Sequence, residues 1–81
     1  MMAKEYGLLH IESGIIVQRS YGINWLNSYY IAIKKRMLGS QLCNGWEERI
    51  IILERDIGYN LYSHSPNEFE IFEMPERNLD D

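Results

Sequence analysis

The sequence predicts an α+β domain: an antiparallel sheet of about four to five strands with one helix packed on a face, in the order β-β-α-β-β-β. Three observations lead there. Near the N-terminus, apolar and polar residues alternate on both sides of a turn. A segment with a 3.6-residue apolar period follows. Aliphatic and acid-rich stretches of strand character then run towards the C-terminus. A sheet with one helix on a face is the simplest way to bury one side of each. A small all-β barrel is the alternative if the central segment is extended.

The first element is a hairpin over "YGLLHIESGIIVQRSYG". Leu9, Ile11, Ile15 and Val17 lie among His10, Glu12, Gln18 and Arg19, a period-2 pattern. Glu12-Ser13-Gly14 is the turn, with Gly14 free to take positive φ.

The helix is placed in "GINWLNSYYIAIKKRMLG", where Leu26, Tyr30, Ile33 and Met37 share one face. Trp25, Tyr29 and Ala32 flank that face. Asn24 is the expected cap. Lys34, Lys35 and Arg36 fall in the last turn, where cations complement the helix dipole, and Gly39 follows as a terminating glycine.

Strand character returns in "SQLCNGWEERIIILERDIGYN". Asn44-Gly45 reads as a hairpin turn, and Ile50, Ile51, Ile52 and Leu53 read as a strand covered on both faces. Trp46, Ile50, Leu53 and Ile57 also keep helical spacing, but three consecutive isoleucines are costly in a helix because branching restricts χ1. Tyr59, Leu61 and Ser63 then alternate with Asn60, Tyr62 and His64 as a further strand. In the last strand Phe69, Ile71 and Glu73 face one way, and Glu68, Glu70 and Phe72 the other. Pro75 ends it. Residues 1–75 form the expected single domain, and 76–81 a loose acidic tail.

Composition narrows the function. At 46% hydrophobic and 25% charged residues, the chain has the make-up of a folded domain. Cys43 is the only cysteine, so no intrachain disulfide can form, and a reducing cytoplasm is the expected setting. The N-terminal apolar run is cut by His10 and Glu12, unlike a signal peptide, and no run is long enough to span a membrane.

Catalytic and cofactor signatures are weak. The glycines stand singly, without a phosphate-binding loop or dinucleotide fingerprint. His10, His64 and Cys43 do not make a metal set. The carboxylate pairs Glu47/Glu48 and Glu68/Glu70 would need a pocket to shift their pKa values. No enzymatic role, metal or cofactor is expected.

Two binding faces remain. The net charge is -4, yet Ser13–Trp46 contains no acid and carries Arg19, Lys34, Lys35 and Arg36. With Trp25 and Tyr29 these residues form the candidate nucleic-acid face, aromatics for stacking and cations for phosphate. The opposite candidate is the acidic end: Glu68, Glu70, Glu73 and Glu76, with Tyr62 and Phe72 as aromatic contacts. Such a surface fits a basic, nucleic-acid-binding groove on a partner protein.

The expected function is therefore an acidic protein-interaction module, an inhibitor or regulator that occludes a partner's surface. Phage and mobile-element anti-defence proteins, anti-CRISPR inhibitors among them, share this composition, as do antitoxins and immunity proteins. A nucleic-acid-binding domain is the alternative, and a homodimer built across an unpaired strand edge is compatible with either.

Overall fold

A computed structural model describes residues 2–75 and 77–78. Its elements are β1 (Met2–Ala3), β2 (Tyr6–His10), β3 (Ile15–Ser20), α1 (Ile23–Met37), α2 (Asn44–Ile57), a 3-10 turn (Pro66–Glu68), β4 (Phe69–Glu73) and β5 (Arg77–Asn78). The main sheet is antiparallel in the order β3-β2-β4, and β1 pairs with β5 in a separate short ladder. The helix α1 packs on β2, β3 and β4; α2 packs on α1 and β3.

Alternation across the sheet explains the core. Leu8 on β2, Phe69 on β4 and Leu26, Ile33 and Met37 of α1 are buried together with Ile50, Leu53 and Leu61. Complete burial of a leucine or isoleucine side chain is worth roughly 1.5–3 kcal/mol. The hairpin register differs from the expected one. Leu8 and His10 are buried, whereas Ile11 and Ile15 are exposed at the turn. Leu9 pairs with Ile16 on the other face. The pairing slips between Leu8 and Leu9, leaving Val17 as an extra residue on β3. This bulge turns both Val17 and Gln18 towards the helices.

Helix α1 stops where its sequence says it should. Gly39 has φ of 76°; its N–H donates to Arg36 O, and Ser40 N–H to Lys35 O, the paired bonds of a Schellman ending. A Cβ at Gly39 would also lie 2.8 Å from the Tyr62 ring. At the other end Gly22, not Asn24, is the cap, and no side chain caps the helix.

The main correction concerns 44–63. The expected strand over Ile50–Leu53 is the middle of α2, so the described chain has three strands in its main sheet and two helices, not four to five strands and one helix. The all-β alternative fails for the same reason. Trp46, Ile50, Leu53 and Ile57 form the stripe that meets the core, and that burial outweighs the cost of branched residues in a helix. Ile51 and Ile52 are left 41% and 54% exposed. Asn44-Gly45 opens the helix instead of turning a hairpin; Gly58, at φ of 88°, closes it. The expected strand at Tyr59–Ser63 is a loop, bent at Ser63 with φ of 69°. Leu61 is its buried anchor.

Candidate functional site

The basic segment does not assemble into one face. Tyr29 is buried against Trp25 and Trp46, with ring centroids 5.5 and 5.4 Å away. Arg49, from α2, lies over Trp25 at 5.3 Å and Trp46 at 5.9 Å. Burial pushes the Tyr29 phenol above its ordinary value; Arg49 opposes that rise and Asp56 adds to it. Trp25 is half-buried. Of the cations, Arg36 is committed internally. Its Nε and Nη2 donate to Glu54 at 3.2 and 3.0 Å. Lys34 lies 4.9 Å from the Tyr30 ring, and Lys35 is exposed. Arg19 pairs with Gly7 and so points from the sheet face opposite the helices. No stacking surface joins these groups.

The acidic set separates too. Glu68 ends the 3-10 turn, and its carboxylate accepts from the Tyr59 hydroxyl at 3.2 Å and meets His64 Nδ1 at 2.9 Å. Glu73 is exposed, 3.5 Å from Lys4 Nζ, with both side chains about half exposed. Such a pair contributes little to stability. Tyr62 stands at the end of α1 against Gly39, lining a depression of about 270 Å³ with Arg36, Ser40 and Asn60. Glu76 lies outside the described residues. Glu70 and Phe72 do belong together: they pair with Leu9 and Gly7 and share the sheet face away from the helices.

That open face is the feature the sequence reading missed. Its centre is Leu9, Ile16 and Phe72, all half-buried and none part of the core cluster. Phe72 lies close over Gly7, where a Cβ would meet its ring at 2.9 Å and Ile16 Cγ2 at 3.3 Å. Arg19 and Glu70 flank the trio from the two outer strands. Gly7 inside a strand was the available signal, since glycine there marks a close approach.

A second unforeseen cluster surrounds His10. This ring is 2% exposed, with Nδ1 2.6 Å from Ser13 Oγ and Nε2 2.6 Å from the Tyr59 hydroxyl. Burial, then the hydrogen bond to Glu68 and its charge, with a smaller push from Glu12, raise Tyr59 to about 12. Tyr59 is therefore a neutral donor to Glu68, and its oxygen accepts from His10 Nε2–H. On the other side of the ring, Nδ1 meets Ser13 Oγ. Gly14 N–H donates to His10 O, and Ile15 N–H donates to Ser13 Oγ at 3.2 Å. Ser13, His10, Tyr59 and Glu68 thus form one continuous chain of polar contacts. The chain ties the β2–β3 turn to the loop before β4.

Cys43 is exposed beside α2 and carries no partner cysteine. Among the described residues no group of three or more His, Cys, Asp or Glu is placed to hold a metal ion. Nor is any helix of the described residues long and apolar enough to cross a membrane. No protein-family model, curated protein or solved structure matches the chain.

Proposed function

We propose that the chain is an acidic protein-interaction module that inhibits or regulates a partner by covering a basic, nucleic-acid-binding surface. One observation carries this reading: the sheet face opposite the helices presents Leu9, Ile16 and Phe72 outside the core, with Glu70 beside them. An apolar centre with a charged rim is the anatomy of a protein–protein contact. The net charge of -4 suits a basic partner and speeds its capture. Blocking a nucleic-acid enzyme, as phage anti-defence proteins such as anti-CRISPR inhibitors do, is the form of inhibition this surface fits. The proposed setting is the cytoplasm, where the exposed Cys43 stays reduced.

The test compares the wild type with Glu70→Lys and Ile16→Glu as bait in lysate of its own host. The wild type should retain a nucleic-acid-binding protein, release it as salt rises, and compete with nucleic acid for it. Both variants should lose it while remaining folded by circular dichroism. Equal retention by all three baits would refute the assignment of this face.

A further inference from the structure

The two edges of the main sheet are unlike each other. The β4 edge carries Glu70 and Glu73, exposed charges that discourage strand addition. The β3 edge reads "IIVQRS", with Arg19 its only charge, and no described strand pairs with it. Beside it lies a cleft of about 230 Å³ lined by Val17, Gln18 and Tyr29 and, from α2, Arg49, Ile52, Leu53 and Asp56. The bulge at Val17 is what aims two consecutive β3 side chains into this cleft.

The run Ile50–Leu53 is also only half explained by the monomer. The core uses Ile50 and Leu53, while Ile52 borders the β3 cleft and is 54% exposed. On α2, Arg49 precedes Ile52 by three residues and Asp56 follows it by four, so the three form one stripe with a cation at one end and an anion at the other. A two-fold axis reverses such a stripe against itself. It sets Arg49 of one copy towards Asp56 of the second copy, and Ile52 beside Ile52.

We infer that the β3 edge and the Arg49–Ile52–Asp56 stripe of α2 form a self-complementary interface with a second copy of this chain. In the dimer β3 adds antiparallel to its symmetry mate, giving a six-stranded sheet in the order β4-β2-β3-β3-β2-β4. The contact is isologous, as a two-fold requires. The arrangement also answers the charge problem of joining two chains of net charge -4. It leaves the β4 acids at the two far ends of the sheet, whereas pairing through β4 would set Glu70 and Glu73 against their own copies. The open faces bearing Leu9, Ile16 and Phe72 then lie side by side, so a partner protein with repeated or two-fold sites meets two of them at once.

One six-residue strand and one helix stripe make a contact below the roughly 800 Å² per partner of standard interfaces. Association in the micromolar range is expected, so the full chain is tested by sedimentation equilibrium from about 5 to 500 µM. The wild type should pass from monomer to dimer. Amides of β3 should exchange more slowly at high concentration than at low, while those of β4 should not change. Ile52→Glu, at an exposed helix position, should weaken dimerisation by about ten-fold or more while leaving thermal unfolding of the dilute monomer intact. Asp56→Arg should weaken it too, and adding Arg49→Asp should restore it, because the swapped pair keeps its complementarity. A chain that stays monomeric throughout would overturn the inference. So would a dimer indifferent to Ile52→Glu, or one that the double exchange fails to restore.

Discussion

Removing the Glu54 carboxylate should cost this domain a large part of its stability. Glu54 does three things at once: it accepts Arg36 Nε and Nη2 and also Leu61 N–H at 2.8 Å. The Glu54 side chain is 11% exposed and that of Arg36 28%. Glu54→Ala therefore leaves a largely covered guanidinium without its partner and a buried residue's N–H without an acceptor. An unsatisfied buried donor costs about 1–3 kcal/mol, and a stranded charge that is still partly solvated adds about 1 kcal/mol. A loss of roughly 2–4 kcal/mol follows, against a total of about 4–12 kcal/mol for a chain of this length. Urea unfolding should show the midpoint fall by about 2–4 M at an m-value of about 1 kcal/mol/M, the low end of the usual range. Glu54→Gln keeps an acceptor for Leu61 and should lose about half as much. The pH dependence has a definite sign. Burial pushes the Glu54 carboxyl up, but the bonds from Arg36 and Leu61 and the Arg36 charge hold it below its ordinary value. With the folded pKa depressed, the stabilisation is full above the unfolded value and is lost as pH falls through the folded one. Glu54→Gln should flatten that acid limb. An Ala variant within about 0.5 kcal/mol of wild type would refute the coupling of Arg36, Glu54 and Leu61.

The His10 cluster predicts a tyrosine that titrates late: at 295 nm one phenol should ionise near 12, and Tyr59→Phe should abolish that step. Because this pKa is raised in the folded state, its contribution to stability is full below about pH 10 and fades as pH climbs towards 12. Gly39→Ala should destabilise by about 1–2 kcal/mol in thermal unfolding, since an alanine there must hold a left-handed φ. Truncating Tyr62 as well should recover little of it, because that ring is exposed and can move aside. Changing Lys34 and Lys35 together to Ala should alter stability by no more than about 0.5 kcal/mol, and neither wild type nor variant should shift single- or double-stranded nucleic acid. A gel shift by the wild type at tens of micromolar that the double variant loses would restore the basic segment as a binding face.

Legibility in the sequence followed the range of the forces involved. Short-range signals were readable. Gly14 and Gly39 take the positive φ that a turn and a helix end require, and the period of α1 appears over Ile23–Met37. The α2 segment was harder because its local and tertiary signals disagree. Three branched residues in a row argue for a strand. The stripe Trp46, Ile50, Leu53 and Ile57 argues for a helix, and it prevails because the surface it covers is made by α1 and β3. That surface does not exist in a reading of the segment alone. The same holds for Tyr59–Ser63, where Glu54 and Met37 O capture the backbone N–H groups of Leu61 and Ser63.

The candidate site was less legible because exposure, not residue type, decides it. Tyr29 and Arg36 have the right chemistry for nucleic acid, but one is buried among tryptophans and the other is tied to Glu54. Glu68 has the right charge for a basic partner, yet it is the acceptor at the end of the His10 and Tyr59 chain. Glu70 and Phe72 keep their claim because strand alternation carries both to the face that no helix covers. Their neighbour Leu9 was hidden because Leu8 beside it is equally apolar, so alternation alone does not say which of the two is buried. Strand alternation divides the apolar residues of β3 between two surfaces, Ile16 towards the open face and Val17 towards the cleft beside α2, and the bulge adds Gln18 to the second. The sheet therefore has two different surfaces, one proposed to meet a partner protein and one proposed to meet a second copy of the chain.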